Sequence, residues 1–272
     1  MDMDIIDAHL HFCTEEAHFC QIAREAGHEN SAAHLREVFA RSHVVRGIVM
    51  GNRGLSLKEH QYPDFLSYCI GVDFSSLLPE MLQHSLDQLE SHLKRRECVG
   101  IKLYPGYSSY YVGDPVYYPV YELARVWHKP VAIHTGAVAG SRGRLRYSHP
   151  LTVDEAASAF PDVTFVMCHI GNPWVQDAAA VMEKDPNVCA DLSGLLEGRV
   201  DLDSYFRQQE GYVSYLRTWM EYAEDYGRIM YGTDWPLVNI PEYIEFIRRL
   251  VPEEHHEKIF YENAVRIYQL EM

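Results

Sequence analysis

Apolar positions in this chain come in short runs separated by helical stretches. The first run, Ile5-Ile6-Asp7-Ala8-His9-Leu10-His11-Phe12, alternates in character. Alternation predicts a strand with Asp7, His9 and His11 on one face and Ile6, Ala8 and Leu10 on the other. Seven further strand-like runs follow at 44–50, 66–73, 98–104, 130–134, 163–169, 187–193 and 228–234. Helical spacing fills the gaps. Ser31 is placed to cap a helix over 31–43 whose stripe is Leu35, Val38 and Phe39, and Leu82, Leu86, Leu89 and Leu93 share a face within 78–96. Helices are also predicted at 115–128, 174–184, 212–226, 241–250, 253–261 and 263–270, and at 152–160, where Thr152 and Glu155 have capping-box spacing. The segment 51–65 is only doubtfully helical. Eight strands alternating with helices predict an α/β fold, a single-domain (β/α)8 TIM barrel over 1–272.

Phase then decides which side chains point inward. In 98–104, Gly100, Lys102 and Tyr104 share the face opposite Val99, Ile101 and Leu103. Val131 and Ile133 are expected to face the helices, leaving His134 inward. In 163–169, Val166 and Cys168 are expected outward and Phe165, Met167 and His169 inward. In the last strand Met230, Gly232 and Asp234 oppose Ile229, Tyr231 and Thr233. Chemistry in such barrels gathers at the C-terminal strand ends. Those ends carry His9 and His11, Asp73, Lys102, His134, His169, Asp191 with Ser193, and Asp234. Asp73 reads as a helix N-cap. Each of the others has a plain structural explanation when taken alone. Two histidines on one strand can, however, hold a single metal ion, and together the group forms a ligand set.

Composition narrows the class further. The chain has 272 residues, 47% hydrophobic and 23% charged, as in ordinary globular proteins. Its longest apolar runs fall short of the 18 or so residues of a membrane span, and its start lacks the pattern of a signal peptide. A formal charge of −15 argues against nucleic acid or an anionic membrane as partner. Cysteines at 13, 20, 69, 98, 168 and 189 form no Cys-x-x-Cys, and four lie in apolar strand-like runs, so a cytoplasmic location is expected. A homo-oligomer, specifically a dimer, is also expected.

The segments DAHLHF, GIKLYP, AIHTG, MCHIG and YGTDWP occur in that order at the first, fourth, fifth, sixth and eighth strands. With the closing ENAVRIYQL, they resemble the amidohydrolase superfamily of metal-dependent barrels. YSHPL followed by AFPDVTFV is similar to the branch that includes aminocarboxymuconate-semialdehyde decarboxylase. The resemblance implies that His9, His11, His134 and Asp234 bind one divalent metal, zinc ahead of manganese, iron or cobalt. It implies catalytic roles for Asp234, which moves a proton, and for His169, which polarises the substrate or binds a second ion. In two-metal members a fourth-strand lysine is carbamylated and bridges the ions, so Lys102 and His169 join the ligands if the site is binuclear. A free Lys102 would instead grip a substrate carboxylate. Asp7 is either an orienting partner of a ligand or a buried bystander.

The activity implied is hydrolysis of an amide, ester or lactone of a small anionic molecule by metal-activated water. Non-oxidative decarboxylation at the same metal site is the alternative. A metal-free lactonase and a non-catalytic metal store are further readings. Expected substrate-binding residues are Lys102, Tyr104, Arg142, Arg144 and Arg146. The three arginines either recognise a carboxylate or phosphate or form a solvated loop. Tyr104, Tyr107, Tyr110, Tyr111, Tyr117, Tyr118 and Tyr121 either line an aromatic pocket or pack loop against helix.

Overall fold

Strands buried on both faces need helices outside and side chains inside, and the chain meets that need by closing a ring. The computed structural model describes residues 3–52 and 54–271. Its strands are β1 (Ile5–Leu10), β2 (Val44–Met50), β3 (Leu66–Val72), β4 (Cys98–Leu103), β5 (Val131–His134), β6 (Phe165–Cys168), β7 (Val188–Asp191) and β8 (Ile229–Met230). All neighbouring pairs are parallel and follow chain order. β8 and β1 meet through backbone bonds, with Ala8 N–H donating to Tyr231 O (3.0 Å) and His11 N–H to Trp235 O (2.8 Å). The barrel and its order are as the hydrophobic pattern predicts.

The ring encloses Ile6, Ala8, Ile48, Met50, Cys69, Val99, Ala132, Val166, Cys168, Cys189 and Met230, and Ala264 and Ile267 of the last helix (Asn263–Ile267), with Tyr268 just past it, pack against this inner cluster. A second layer, including Ile5, Leu10, Ile101, Leu103, Ile133, Phe165, Met167 and Tyr231, meets the surrounding helices. The two layers correct three predicted phases. On β4, Val99 falls in the inner cluster while Ile101 and Leu103 lie in the outer layer, because one extra residue bulges between Cys98 and Gly100. Val166 and Cys168 belong to the inner cluster, and Phe165 lies against the helical Tyr121 ring at 5.2 Å. The sixth strand is therefore turned opposite to the expectation. On β1, Ile6 and Ala8 are inner while Leu10 is outer. Three steps from Asp7 to Leu10 pair with two steps from Gly47 to Val49 on β2, so one extra residue bulges there and inverts the phase.

Helices span Ala32–Arg41, Leu82–Leu93, Tyr118–Val126, Thr152–Ala159, Val175–Lys184 and Ile240–Leu250, within the predicted stretches or one residue beyond. Ser31 accepts from His34 N–H as predicted. The Thr152 capping box does not form, because the Thr152 hydroxyl donates to His149 O (2.7 Å). Among the described residues between β2 and β3, only a short 3-10 turn, Leu57–Glu59, appears. Helices at Ala17–Glu25 and Leu202–Gln208 are additional, and Glu210–Tyr222 starts just before the predicted 212–226. No helix among the described residues is long and apolar enough to cross a membrane.

Candidate metal centre

The β1 bulge lets His9 and His11 serve the barrel mouth together while Asp7 turns away from it. Asp7 accepts from His9 N–H (3.2 Å), Thr233 N–H (2.9 Å) and the Thr233 hydroxyl (2.6 Å). Burial pushes its carboxyl up to about 7 against those hydrogen bonds. Asp7 thus ties the end of β8 to β1 and touches no ligand ring, which corrects the shared face with His9 and His11. Past β8 the backbone stays close: Thr233 N–H and Asp234 N–H both donate to His9 O, at 3.1 and 2.8 Å. A Cβ on Gly232 would stand 2.8 Å from His9 Cβ, so only glycine permits this approach. Asp234 adopts φ 60°, a left-handed turn that aspartate tolerates better than most residues.

Side-chain partners fix where the imidazole hydrogens lie. His9 Nδ1 donates to the buried Asp191 carboxylate (2.9 Å), and His11 Nδ1 donates to Met50 O (3.1 Å). Both Nε2 atoms then point lone pairs at one place. Asp234 Oδ1 stands 3.4 Å from His9 Nε2 and 3.3 Å from His11 Nε2. These candidate ligand atoms all lie within 4.8 Å of one another. His9 Nε2 and Asp234 Oδ1 are buried without a hydrogen-bond partner among the described residues. Electron-rich atoms this close, desolvated and unbonded, require a positive charge between them. Without a metal, a proton on His9 must supply it. Burial opposes that proton, but the Asp191 charge raises His9 well above its usual range. Burial likewise opposes the Asp191 and Asp234 carboxylates, yet the histidines hold both below theirs. The two nitrogens and one oxygen fit a divalent cation such as zinc.

Beside this cluster sits a second imidazole pair. His134 Nε2 donates to Ala137 O (2.9 Å), so its bare Nδ1 faces His169 Nε2 at 3.2 Å. His134 is thus brought against His169, and the three-atom cluster forms without it. Burial pushes His134 well below its usual range and His169 down to about 4, which keeps both neutral. The β6 phase correction does not remove His169 from the mouth. It follows the strand with φ 62°, a reversal that breaks the alternation and sets its ring 4.8 Å from that of His9. Asp191 was legible as a strand-end carboxylate, but its bond to His9 was not foreseen. Lys102 is fully buried, with Nζ on Cys168 Sγ (2.7 Å) and 5.1 Å from the Tyr104 ring centre.

A cavity of about 650 Å³ opens over both groups and is lined in part by His11, Tyr104, His134, His169 and Asp234. Asp73 reaches this wall while capping Ser75 N–H (2.8 Å), as its position predicts. Of the seven tyrosines, Tyr104, Tyr107 and Tyr117 line the cavity. Tyr110 packs on Phe74, Tyr111 on Tyr147, and Tyr118 and Tyr121 on Phe160. The unforeseen Ala17–Glu25 helix supplies His18, Phe19 and Ile22 to the opposite wall. Spacing of Phe19, Ile22 and Ala23 was its available signal. Arg144 donates to Ser109 (3.1 Å) and Arg146 lies over the Tyr147 ring. Neither they nor Lys102 is among the described lining residues. Arg142 lines an adjoining depression that shares Tyr107 and Ala139 with the main cavity.

No curated protein matches the chain. Solved structures do match from end to end. An amidohydrolase from Burkholderia multivorans with bound zinc is 14% identical with a TM-score of 0.69, over 98% of this chain and 100% of that one. A probable 2-pyrone-4,6-dicarboxylic acid hydrolase from Acinetobacter baumannii with citric acid bound is 16% identical with a TM-score of 0.65, over 98% and 100%. The 2,6-dihydroxybenzoate decarboxylase complexed with 2,6-dihydroxybenzoate is 13% identical with a TM-score of 0.68, over 98% and 100%. At these identities the likeness shows the shared barrel. A family model described as amidohydrolase matches residues 6–270, nearly the whole length, and the chain belongs to that family.

Proposed function

We propose that the protein is a metal-dependent hydrolase that cleaves an amide, ester or lactone in a small anionic molecule. The observation that carries this reading is the convergence of His9 Nε2, His11 Nε2 and Asp234 Oδ1, of which His9 Nε2 and Asp234 Oδ1 are buried without a hydrogen-bond partner among the described residues. These three residues would hold the ion, with His134 beside them, and zinc is favoured by the donor set and by the zinc-bound neighbour. When bound, the ion supplies Lewis acidity and lowers the pKa of water.

The chain's own groups do the rest. Asp234 uses Oδ1 in the ligand cluster and keeps Oδ2 to take a proton from the attacking water and return it to the leaving group. His169, neutral and lining the cavity, faces the reacting carbonyl and steadies the charge that develops on it. Tyr104 contributes its ring to the wall, since its hydroxyl donates toward Gly51 O (2.9 Å) and Met50 O (3.2 Å). A single ion accords with Lys102 resting on Cys168 beneath the cluster.

The test is turnover of a panel of lactones, esters, amides and aromatic carboxylates in 18O-labelled water, with and without a chelator. Chelator-sensitive cleavage with label in the product carboxylate supports hydrolysis. Release of CO2 from a carboxylate without incorporated label overturns it in favour of decarboxylation.

A further inference from the structure

Lys102 and Cys168 meet inside the barrel, beneath the candidate metal centre, and both are fully buried. Lys102 on β4 stands level with Ala132 on β5, and His134, one pleat further along β5, stands level with Cys168 on β6. Ala132 belongs to the inner cluster, and its small side chain leaves the lysine room to cross β5 and end with Nζ 2.7 Å from Cys168 Sγ. Two features set this pair apart. A fully buried lysine normally faces a partner of opposite charge. Among the described residues the polar neighbour of this one is the sulfur alone, with the Tyr104 ring centre 5.1 Å away. The second feature is the distance. Nitrogen–oxygen hydrogen bonds centre on about 2.9–3.0 Å, and sulfur, a larger atom, holds a donor farther off. At 2.7 Å the two atoms are closer than a hydrogen bond to sulfur allows, yet much too far apart for a direct N–S bond. This is the span of two atoms that are both bonded to one small atom between them.

We propose that Lys102 and Cys168 form an oxidative modification site, at which dioxygen joins them through one oxygen atom as Lys102 Nζ–O–Sγ Cys168. The thiol S–H bond, one amine N–H bond and the O–O bond break, and one N–O and one O–S bond form. Sulfur and nitrogen each give up two electrons, and the four reduce one dioxygen. One of its atoms becomes the bridge. The other leaves as water, carrying one hydrogen from the amine and one from the thiol. The apolar inner cluster around the pair admits a small neutral oxidant of this kind. The bridge ties β4 to β6 and takes the Lys102 nitrogen out of use as a ligand or a cation, so the oxidation state of the pair sets the floor of the candidate metal centre. Nothing in this depends on the hydrolase reading, and a failure to find turnover leaves it untouched.

The test is a mass measurement on the parent protein. Protein prepared anaerobically, loaded with zinc and then exposed to 18O-labelled dioxygen is unfolded without reductant and digested. A peptide pair joined at Lys102 and Cys168 should appear, heavier than the two free peptides by one labelled oxygen and lighter by two hydrogens. Dithiothreitol should split it. Because the bridge joins positions 66 residues apart, the oxidised protein should also melt at a higher temperature than the anaerobic one. That difference should vanish in Cys168→Ser and in Lys102→Met, and the parent spectrum decides the matter even if neither variant folds. Free Lys102 after prolonged exposure, with Cys168 unmodified, in a disulfide or as a sulfinic acid, overturns the proposal. So does a joined pair without the added oxygen, the mark of a direct N–S bond.

Discussion

Asp7 and Thr233, 226 residues apart, hold each other by two hydrogen bonds, from the Thr233 amide (2.9 Å) and the Thr233 hydroxyl (2.6 Å) to the two Asp7 oxygens. The same hydroxyl accepts from Trp235 N–H (2.9 Å), so one threonine fixes both sides of Asp234. Short β8 ends at Met230, and this clasp takes over where strand pairing stops. Thr233→Val keeps the shape but leaves Asp7 Oδ2 and the Trp235 amide unpaired in the interior. It should cost about 1–3 kcal/mol of stability and weaken zinc binding by displacing Asp234. Urea denaturation and a zinc titration check both effects. Unchanged midpoint and affinity would show that the clasp is incidental.

The two β1 histidines should behave differently when removed. His11 is partly exposed, and its Nδ1 contacts one backbone carbonyl. His11→Ala should lose zinc yet keep its stability within about 1 kcal/mol. His9 is fully buried against Asp191, so His9→Ala strands a desolvated carboxylate and should cost roughly 3 kcal/mol or more besides losing the metal. Metal analysis of the purified variants, alongside thermal melts, distinguishes them. Full zinc occupancy in both would refute the ligand assignment.

The barrel was legible because burial on both sides of a strand leaves a length and composition signal that eight repeats reinforce. The candidate ligand residues were legible because they stand at or just past strand ends. What the pattern does not encode is a backbone irregularity. The extra residue between Asp7 and Leu10 leaves the hydrophobic alternation looking regular while turning Asp7 away from His9. At β6 both faces carry apolar residues, so alternation cannot choose between them, and the left-handed His169 then brings the ring back to the mouth. The Ala17–Glu25 helix was missed because Ala23 is its one buried residue, while Phe19 and Ile22 face the cavity. A wall kept for a ligand carries a short apolar stripe, here Phe19, Ile22 and Ala23, instead of the longer one of a core helix.

Away from the site, His92 makes folding depend on pH. It is fully buried, donates from Nε2 to Leu55 O (3.0 Å) and accepts at Nδ1 from the Tyr68 hydroxyl (2.8 Å), an arrangement that suits the neutral ring. Burial pushes its pKa down to about 4 from 6.5. Between those values the unfolded chain binds a proton that the folded one does not, so stability rises with pH there. The contribution is complete above about 6.5 and is lost as pH falls toward about 4. Compared with His92→Gln, the parent protein's stability advantage should therefore shrink by a one-proton slope over this window. Urea midpoints measured from pH 4 to 7 on both proteins give the answer. A gap that stays constant would show that His92 does not titrate on unfolding.

Of the three arginines in the loop after β5, the geometry separates one from the others. Arg144 is engaged with Ser109, and Arg146 lies against Tyr147. Arg142 instead lines the depression that meets the main cavity at Tyr107 and Ala139. Tyr107 sits between them, its hydroxyl accepting from Ala139 N–H (2.9 Å) and its ring 5.1 Å from that of His134. A substrate held at the ligand cluster and long enough to pass Tyr107 would bring a carboxylate to this guanidinium, which binds such groups in a planar, two-pronged fashion. That contact lies far from the reacting bond and is made equally in ground and transition states. Its loss should therefore appear in KM. Arg142→Ala should raise KM for a carboxylate-bearing substrate by about tenfold with kcat within about twofold, the pattern of lost uniform binding. Arg146→Ala should change neither, and the same substrate as its methyl ester should be indifferent to Arg142. Steady-state kinetics on the two variants with the acid and ester pair decide it, and equal KM values for parent and Arg142→Ala would return the whole loop to solvent.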